Sequence, residues 1–268
     1  MKRILKFTTA ALAAALLMAG CAAQPAAPVT EALPAAKMCA FSSPQETSAD
    51  PMLEKYIDVL EGIYYDNVLP DGQRLDPFED SESAYPNEFA IYDVDGDGES
   101  ELIIRYINTY SAGMFGTVYG YDRNNGKLTT QLIEFPALTF YPSGIVEVSW
   151  SHNQGLSGRF WPCTFYRYDA DSDIYLPIAC VDAWDREFFE VDYDGNPFPT
   201  EADPNGNNIV YYIYQCSNQS TPAPVSQEFF DTWYNELIGF DPNMHSHSDF
   251  ALAIPYQPLT EENILSIQ

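Results

Sequence analysis

Apolar positions recur at helical spacing from residue 53 onward. Leu53, Tyr56, Ile57, Leu60, Ile63 and Tyr64 fall on one stripe, which predicts an amphipathic helix. Asp50 is suited to cap it, Pro51 to occupy its first position, and the LPDG stretch at residues 69–72 to follow its end. From residue 88 the period shortens to that of strands. Short segments rich in β-branched and aromatic residues follow at 89–94, 101–107, 117–122, 127–135, 138–141, 145–150, 163–169, 174–181 and 209–216. Turn residues separate most of them, and Asn125-Gly126 and the YPSG stretch at 141–144 are hairpin signals. The helical period returns after residue 226. Ser226 serves as cap, Phe229, Phe230, Trp233, Tyr234, Leu237 and Ile238 form the apolar face, and Gly239 is the stop. A last short helix begins at Thr260. An antiparallel β meander flanked by an N-terminal helix and C-terminal helices is an α+β fold, expected as a single domain over residues 50–268.

The chain before residue 50 has a different character. Lys2, Arg3 and Lys6 precede the apolar run FTTAALAAALLMAG at residues 7–20, too short and too Ala-rich for a stable membrane span but of the kind found in export signals. The run ends in LLMAGC, which resembles the lipobox of bacterial lipoproteins, with Met18 where Leu is usual. That resemblance implies a signal peptide over residues 1–20 and diacylglycerol attached to Cys21; an ordinary secretory signal cut nearby is the alternative. Residues 21–49, rich in Ala and Pro, read as a tether that spans roughly 30 Å as a coil and up to about 90 Å if polyproline-like. The expected location is the extracytoplasmic face of a cell membrane, held by lipid.

Charge narrows the partners. The chain holds 12 Lys and Arg against 39 Asp and Glu, and losing Lys2, Arg3 and Lys6 with the signal makes the acidic excess larger. Nucleic acid is excluded as a partner because no basic cluster remains to meet a phosphate backbone. An anionic membrane surface is disfavoured for the same reason, so membrane contact runs through the anchor alone. Besides Cys21 there are four cysteines, Cys39, Cys163, Cys180 and Cys216. A turn centred on residues 169–173 sets Cys163 opposite Cys180. Two buried thiols are the expected state, with a cross-strand disulfide as the alternative.

Candidate chemistry concentrates in FAIYDVDGDGESELIIRY, residues 89–106. Asp93, Asp95, Asp97, Glu99 and Glu101 place a carboxylate at every second position across a turn between two strands. Like charges so dense repel one another unless a cation sits among them, by up to about 4 kcal/mol for a close pair at an effective dielectric of 20. Counting Asp93 as position one, oxygen donors fall at one, three, five and nine, and Gly98 at six permits a sharp turn. Hard oxygen ligands on a flexible loop select calcium. Glu99 at seven is expected to offer its backbone carbonyl and leave its carboxylate in solvent. Ile104 stands at twelve, where an EF-hand needs a bidentate Glu, so the loop is not an EF-hand. The pattern D-x-D-G-D-G-x-x-E-L ahead of a strand resembles the calcium loops of FG-GAP and VCBS-type repeats. With the hairpin VYGYDRNNGKL and the closing LTEENI, the chain also resembles bacterial surface lipoproteins, a likeness that implies no particular activity. Neither YDADSDIY nor VDYDGNPF has a glycine at position six, and both read as turns.

Catalytic motifs are missing: the sequence holds no H-E-x-x-H, G-x-S-x-G or S-x-x-K. His245 and His247 lie in a loop-like stretch with no third ligand close in sequence, and read as surface residues. The 19 Tyr, 16 Phe and 4 Trp mostly supply core and cross-strand pairs. Trp150 and Trp161, flanking a polar, Gly-rich loop, are the candidates for stacking on a sugar ring or a protein partner. The resulting expectation is a lipid-anchored surface protein, stiffened by calcium, that binds a glycan or an envelope protein. A surface hydrolase of glycan or peptide is the rival, and an accessory subunit of an envelope complex is a third reading.

Overall fold

The computed structural model describes residues 50–78, 85–216 and 221–267. The expected signal, tether, Cys21 and Cys39 lie outside the described residues. Helix α1, Pro51–Glu61, starts where Asp50 accepts a hydrogen bond from the Met52 N–H at 3.0 Å, and a π-turn, Gly62–Asp66, continues it. Its buried face is Met52, Tyr56, Val59, Leu60 and Ile63. This corrects the expected stripe: Leu53 and Ile57 sit at its edge and Tyr64 is exposed. Both sets obey the same period, and a period does not say which side of a helix meets the sheet.

Four strands follow: β1 Glu88–Tyr92, β2 Glu101–Tyr106, β3 Phe115–Asp122 and β4 Lys127–Glu134. Next come β5 Leu138–Phe140, β6 Ile145–Ser149, β7 Cys163–Asp169, β8 Ile174–Asp185, β9 Ile209–Gln215 and β10 Val225–Ser226. The chain ends with α2 Gln227–Ile238, a single turn α3 His247–Phe250, β11 Gln257–Pro258 and α4 Glu261–Leu265. The fold is α+β, with helices at both ends of an antiparallel strand region. The stretch NMHSHSDF, expected as a loop, closes into α3 because Ser246 caps it through the Asp249 N–H.

The meander divides into two sheets, ordered β11-β1-β2-β3-β4 and β10-β9-β8-β7-β6-β5. The break falls at residues 135–137, where Pro136 offers no N–H to continue a ladder. Each sheet has one helix-covered face. Tyr56 and Leu60 of α1 and Ile63 of the π-turn, with Leu259 and Ile264, pack on Phe89, Leu102, Ile104, Tyr106 and Tyr119 of the first sheet. Phe230 and Ile238 of α2 pack on Cys163, Phe165, Val181, Ala183, Ile209 and Tyr211 of the second. The remaining faces meet through Ile103, Val118 and Leu132 on one side and Phe140, Val146, Val148, Tyr166 and Tyr175 on the other. The layers run helix, sheet, sheet, helix. On α2 Phe229 is exposed despite its expected place on the apolar face, while Gly239 stops the helix at φ 70° as expected.

The hairpin of β7 and β8 corrects the cysteine geometry. Asp169 pairs with Ile174 as expected, but Tyr166 pairs with Pro177 and Phe165 with Ala179, which leaves Ile178 as an extra residue. Cys163 therefore faces Val181, and Cys180 faces Thr164. A one-residue bulge moves every later side chain to the other face of the sheet, so the two sulfurs are separated by the sheet itself. The bulge sits beside Pro177, which lacks the N–H that a regular ladder would use.

Candidate metal centre

The loop at residues 93–100 joins β1 to β2, whose register pairs Tyr92 with Glu101 directly. Side-chain oxygens stand in for the missing ladder. Asp93 accepts from the Gly96 N–H (2.7 Å) and the Gly98 N–H (3.1 Å), Asp95 from the Asp97 N–H (3.1 Å), and Asp97 from the Glu99 N–H (2.7 Å). Gly96 at φ 82° and Gly98 at φ 93° occupy backbone conformations that glycine adopts without steric cost. At the loop's end Glu101 turns inward and accepts from the Val94 N–H at 2.9 Å. The Tyr56 hydroxyl of α1 donates to the Ser100 carbonyl at 2.8 Å and fixes the exit from beneath.

Asp93, Asp95 and Glu101 each present a carboxylate oxygen within 4.8 Å of the other two. Glu101 is 2 % exposed, and burial, reinforced by the charges of Asp95, Asp97 and Asp93, pushes its carboxyl up to about 8. Burial likewise raises the Asp95 carboxyl, whose second oxygen is buried without a hydrogen-bond partner. This is the electrostatic state of an oxygen cage whose charge is uncompensated by protein; a bound divalent cation would reverse both shifts. The donor set, all carboxylate oxygen, fits a hard cation. Asp97 stands outside the group of three. The Glu99 carboxylate stays solvent-exposed, as expected, and there pairs with Arg123, whose Nε lies 2.6 Å from one of its oxygens. The same guanidinium reaches Asp50 at 3.0 Å and holds its carboxyl below the ordinary range, tying the loop to the α1 cap.

Beside the loop, a cleft of about 590 Å³ is lined by Asp97, Glu99, Glu101, Tyr121, Arg123, Tyr168, Asp171 and Asp173. Its far wall is the turn between β7 and β8, so the second sheet contributes to a site begun in the first. Gln131 and Tyr168 both donate to Asp173, at 2.6 and 3.0 Å. The Gln131 amide oxygen and the Tyr175 hydroxyl are buried without partners. Gln131 carries no local signal in the sequence, and Tyr168, Asp173 and Tyr175 belong to YDADSDIY, which the sequence presents only as a turn.

The other sequence candidates scatter. His245 is exposed, and the His247 ring sits 2.7 Å from the Asn235 side-chain oxygen and edge-on to Tyr234 and Phe240. Asp192 is filled by the N–H groups of Asp194 and Asn196, which leaves its turn closed on itself. Trp150 is half-buried and donates to Thr164, while Trp161 is 50 % exposed and donates to the Trp150 carbonyl. The loop between them is built from inside. Asn153 donates to the Ser157 and Phe160 carbonyls, and Arg159 pairs with the fully buried Asp185. A separate cavity of about 320 Å³ on the face of the second sheet turned away from α2 is lined by Gln154, Asp182, Asp192, Tyr193, Tyr212 and Tyr214. Burial raises the Asp182 carboxyl, whereas hydrogen bonding, chiefly from the Asn196 side chain, lowers that of Asp192. No helix among the described residues is long and apolar enough to cross a membrane. No protein-family model matches the chain, and neither curated proteins nor solved structures give a match.

Proposed function

We propose that the chain is a lipid-anchored protein of a bacterial cell surface, that the β1–β2 loop holds calcium as a structural ion, and that the domain works by recognition. The observation that carries the ion is Glu101: a carboxylate so deeply buried within 4.8 Å of two others stays ionised at neutral pH only with a positive charge beside it, and Arg123 is engaged outside the cage. Calcium polarises water weakly compared with zinc, and no nucleophile stands in the group, so the ion braces the fold. It would hold the first sheet's turn against the second sheet's hairpin, where Tyr168 and Tyr175 pack on Val94 of the loop.

The test is thermal melting across calcium concentrations. Extracellular sites bind at about 0.1 to 1 mM, so about 1 mM calcium against a dissociation constant of about 0.1 mM stabilises by roughly 1.4 kcal/mol. Asp95→Ala should abolish that gain, and Asp97→Ala should reduce it less. A melting temperature indifferent to calcium from micromolar to millimolar would remove the reading. Recognition is assigned to the exposed Trp161. Glycan-array and envelope-protein binding by the purified protein should weaken in Trp161→Ala while its melting temperature holds.

A second reading, an extracytoplasmic hydrolase, is favoured by one observation: Asp182 and Asp192 share a cavity and their environments push the two carboxyls in opposite directions. Turnover of a glycan or peptide, lost in a folded Asp182→Asn variant, would replace recognition with catalysis.

A further inference from the structure

We propose that Cys180 and Cys216 form a disulfide that staples β8 to β9. Their sulfurs lie 3.7 Å apart, in van der Waals contact. The strands are antiparallel neighbours, with Cys180 directly opposite Tyr214 and Cys216 two residues further along β9's course. Two residues apart on a strand means the same face, so the pair is diagonal across one face of the sheet. The Ile178 bulge creates this arrangement. Without the extra residue Cys180 would share a face with Cys163; with it, Cys180 is turned to the side that carries Asp182, Tyr212, Tyr214 and Cys216. Closing the bond needs the sulfurs to approach from 3.7 Å to about 2.05 Å, between strands that are already paired.

Access agrees with this. Cys216 is exposed and Cys180 half-buried, so a disulfide donor can reach the first and the second can resolve the adduct. Cys163 is buried on the α2 side and stays outside the exchange. The Cys216 thiolate attacks one sulfur of an oxidised dithiol or of oxidised glutathione, and the donor's other sulfur leaves as a thiol. The Cys180 thiolate then attacks the Cys216 sulfur of the mixed disulfide and releases the second donor thiol. Two electrons pass to the donor disulfide, and the two thiol protons end on the departing thiols. The bond would fix the end of β9 beside the cavity of Asp182, Tyr212 and Tyr214, and it owes nothing to the ion at the β1–β2 loop.

The test is to incubate the folded full-length protein with oxidised glutathione, block free thiols with iodoacetamide in denaturant, and map the peptides by mass spectrometry. A cross-linked peptide pair joining Cys180 to Cys216 is expected, with Cys163 recovered as the alkylated thiol. The oxidised protein should melt higher than the reduced one by roughly 10 °C, since the bridge closes a loop of several tens of residues. In Cys216→Ser that difference should vanish and Cys180 should be recovered alkylated or glutathionylated. Recovery of both cysteines as free thiols from the oxidised parent, or as two separate glutathione adducts, would overturn the assignment.

Discussion

An ionised carboxylate taken out of water costs several kcal/mol unless charge and hydrogen bonds meet it, and Glu101 and Asp182 are among the residues here that carry that cost. Glu101 does so inside the loop, with Asp93 and Asp95 as neighbours. Asp182 does so on the face of β8 turned away from α2, where the Ala183 N–H is its hydrogen-bond donor. Burial raises the Asp182 carboxyl above its ordinary value of 3.8, so the folded chain holds this proton at a pH where the unfolded chain has released it. Stability from this group is therefore full below about pH 4 and declines as pH climbs through the raised value. Urea unfolding between about pH 4 and pH 7 should show a shallower decline in Asp182→Asn than in the parent. The loop's own acids were readable from alternation and Gly98, because a turn's chemistry is local. Arg123, Gln131 and Tyr175 were not, because nothing in their own neighbourhoods marks a residue that packing will carry to a distant loop.

Elements follow the same division between local and distant causes. Asp50, Ser226 and Thr260 each accept an N–H at the start of the helix that their positions predict. Ser226→Ala should cost about 1 kcal/mol, read as a lower urea midpoint with an unchanged slope, since the change removes a cap and leaves the core intact. Each of the nine longer strands begins within about two residues of the place that the pattern and the turn residues give it, but β8 runs on to Asp185, past the expected end at residue 181. The two-residue strands β10 and β11 are too short to carry a pattern and exist because a neighbour offers them an edge. The orientation of α1 and the exposure of Phe229 depend on which sheet face each helix meets. The Ile178 bulge is of the same kind: Pro177 hints at an irregular ladder, but the direction of the shift is settled by pairing with β7.

At the scale of the whole molecule, four layers bury three apolar interfaces, and the candidate ion lies near the edge of the middle one, where loop residue Val94 meets Tyr175. The proposed anchor belongs to this scale as well, because a tethered domain meets its partners within the tether's reach of the bilayer. Cys21→Ala should move the protein from the detergent phase to the soluble fraction, or leave it as unprocessed precursor. Partition identical to the parent would refute the lipid assignment. Helix caps, strand spans, hairpin turns and the acidic loop are written within about ten residues of chain, where φ/ψ preference and side-chain period act directly. The division of one meander into two sheets, the second sheet's share of the cleft and the placing of Cys180 beside Cys216 rather than Cys163 came from packing. Each depends on which apolar faces bury each other across long sequence separations, and many such pairings share one pattern of polar and apolar positions.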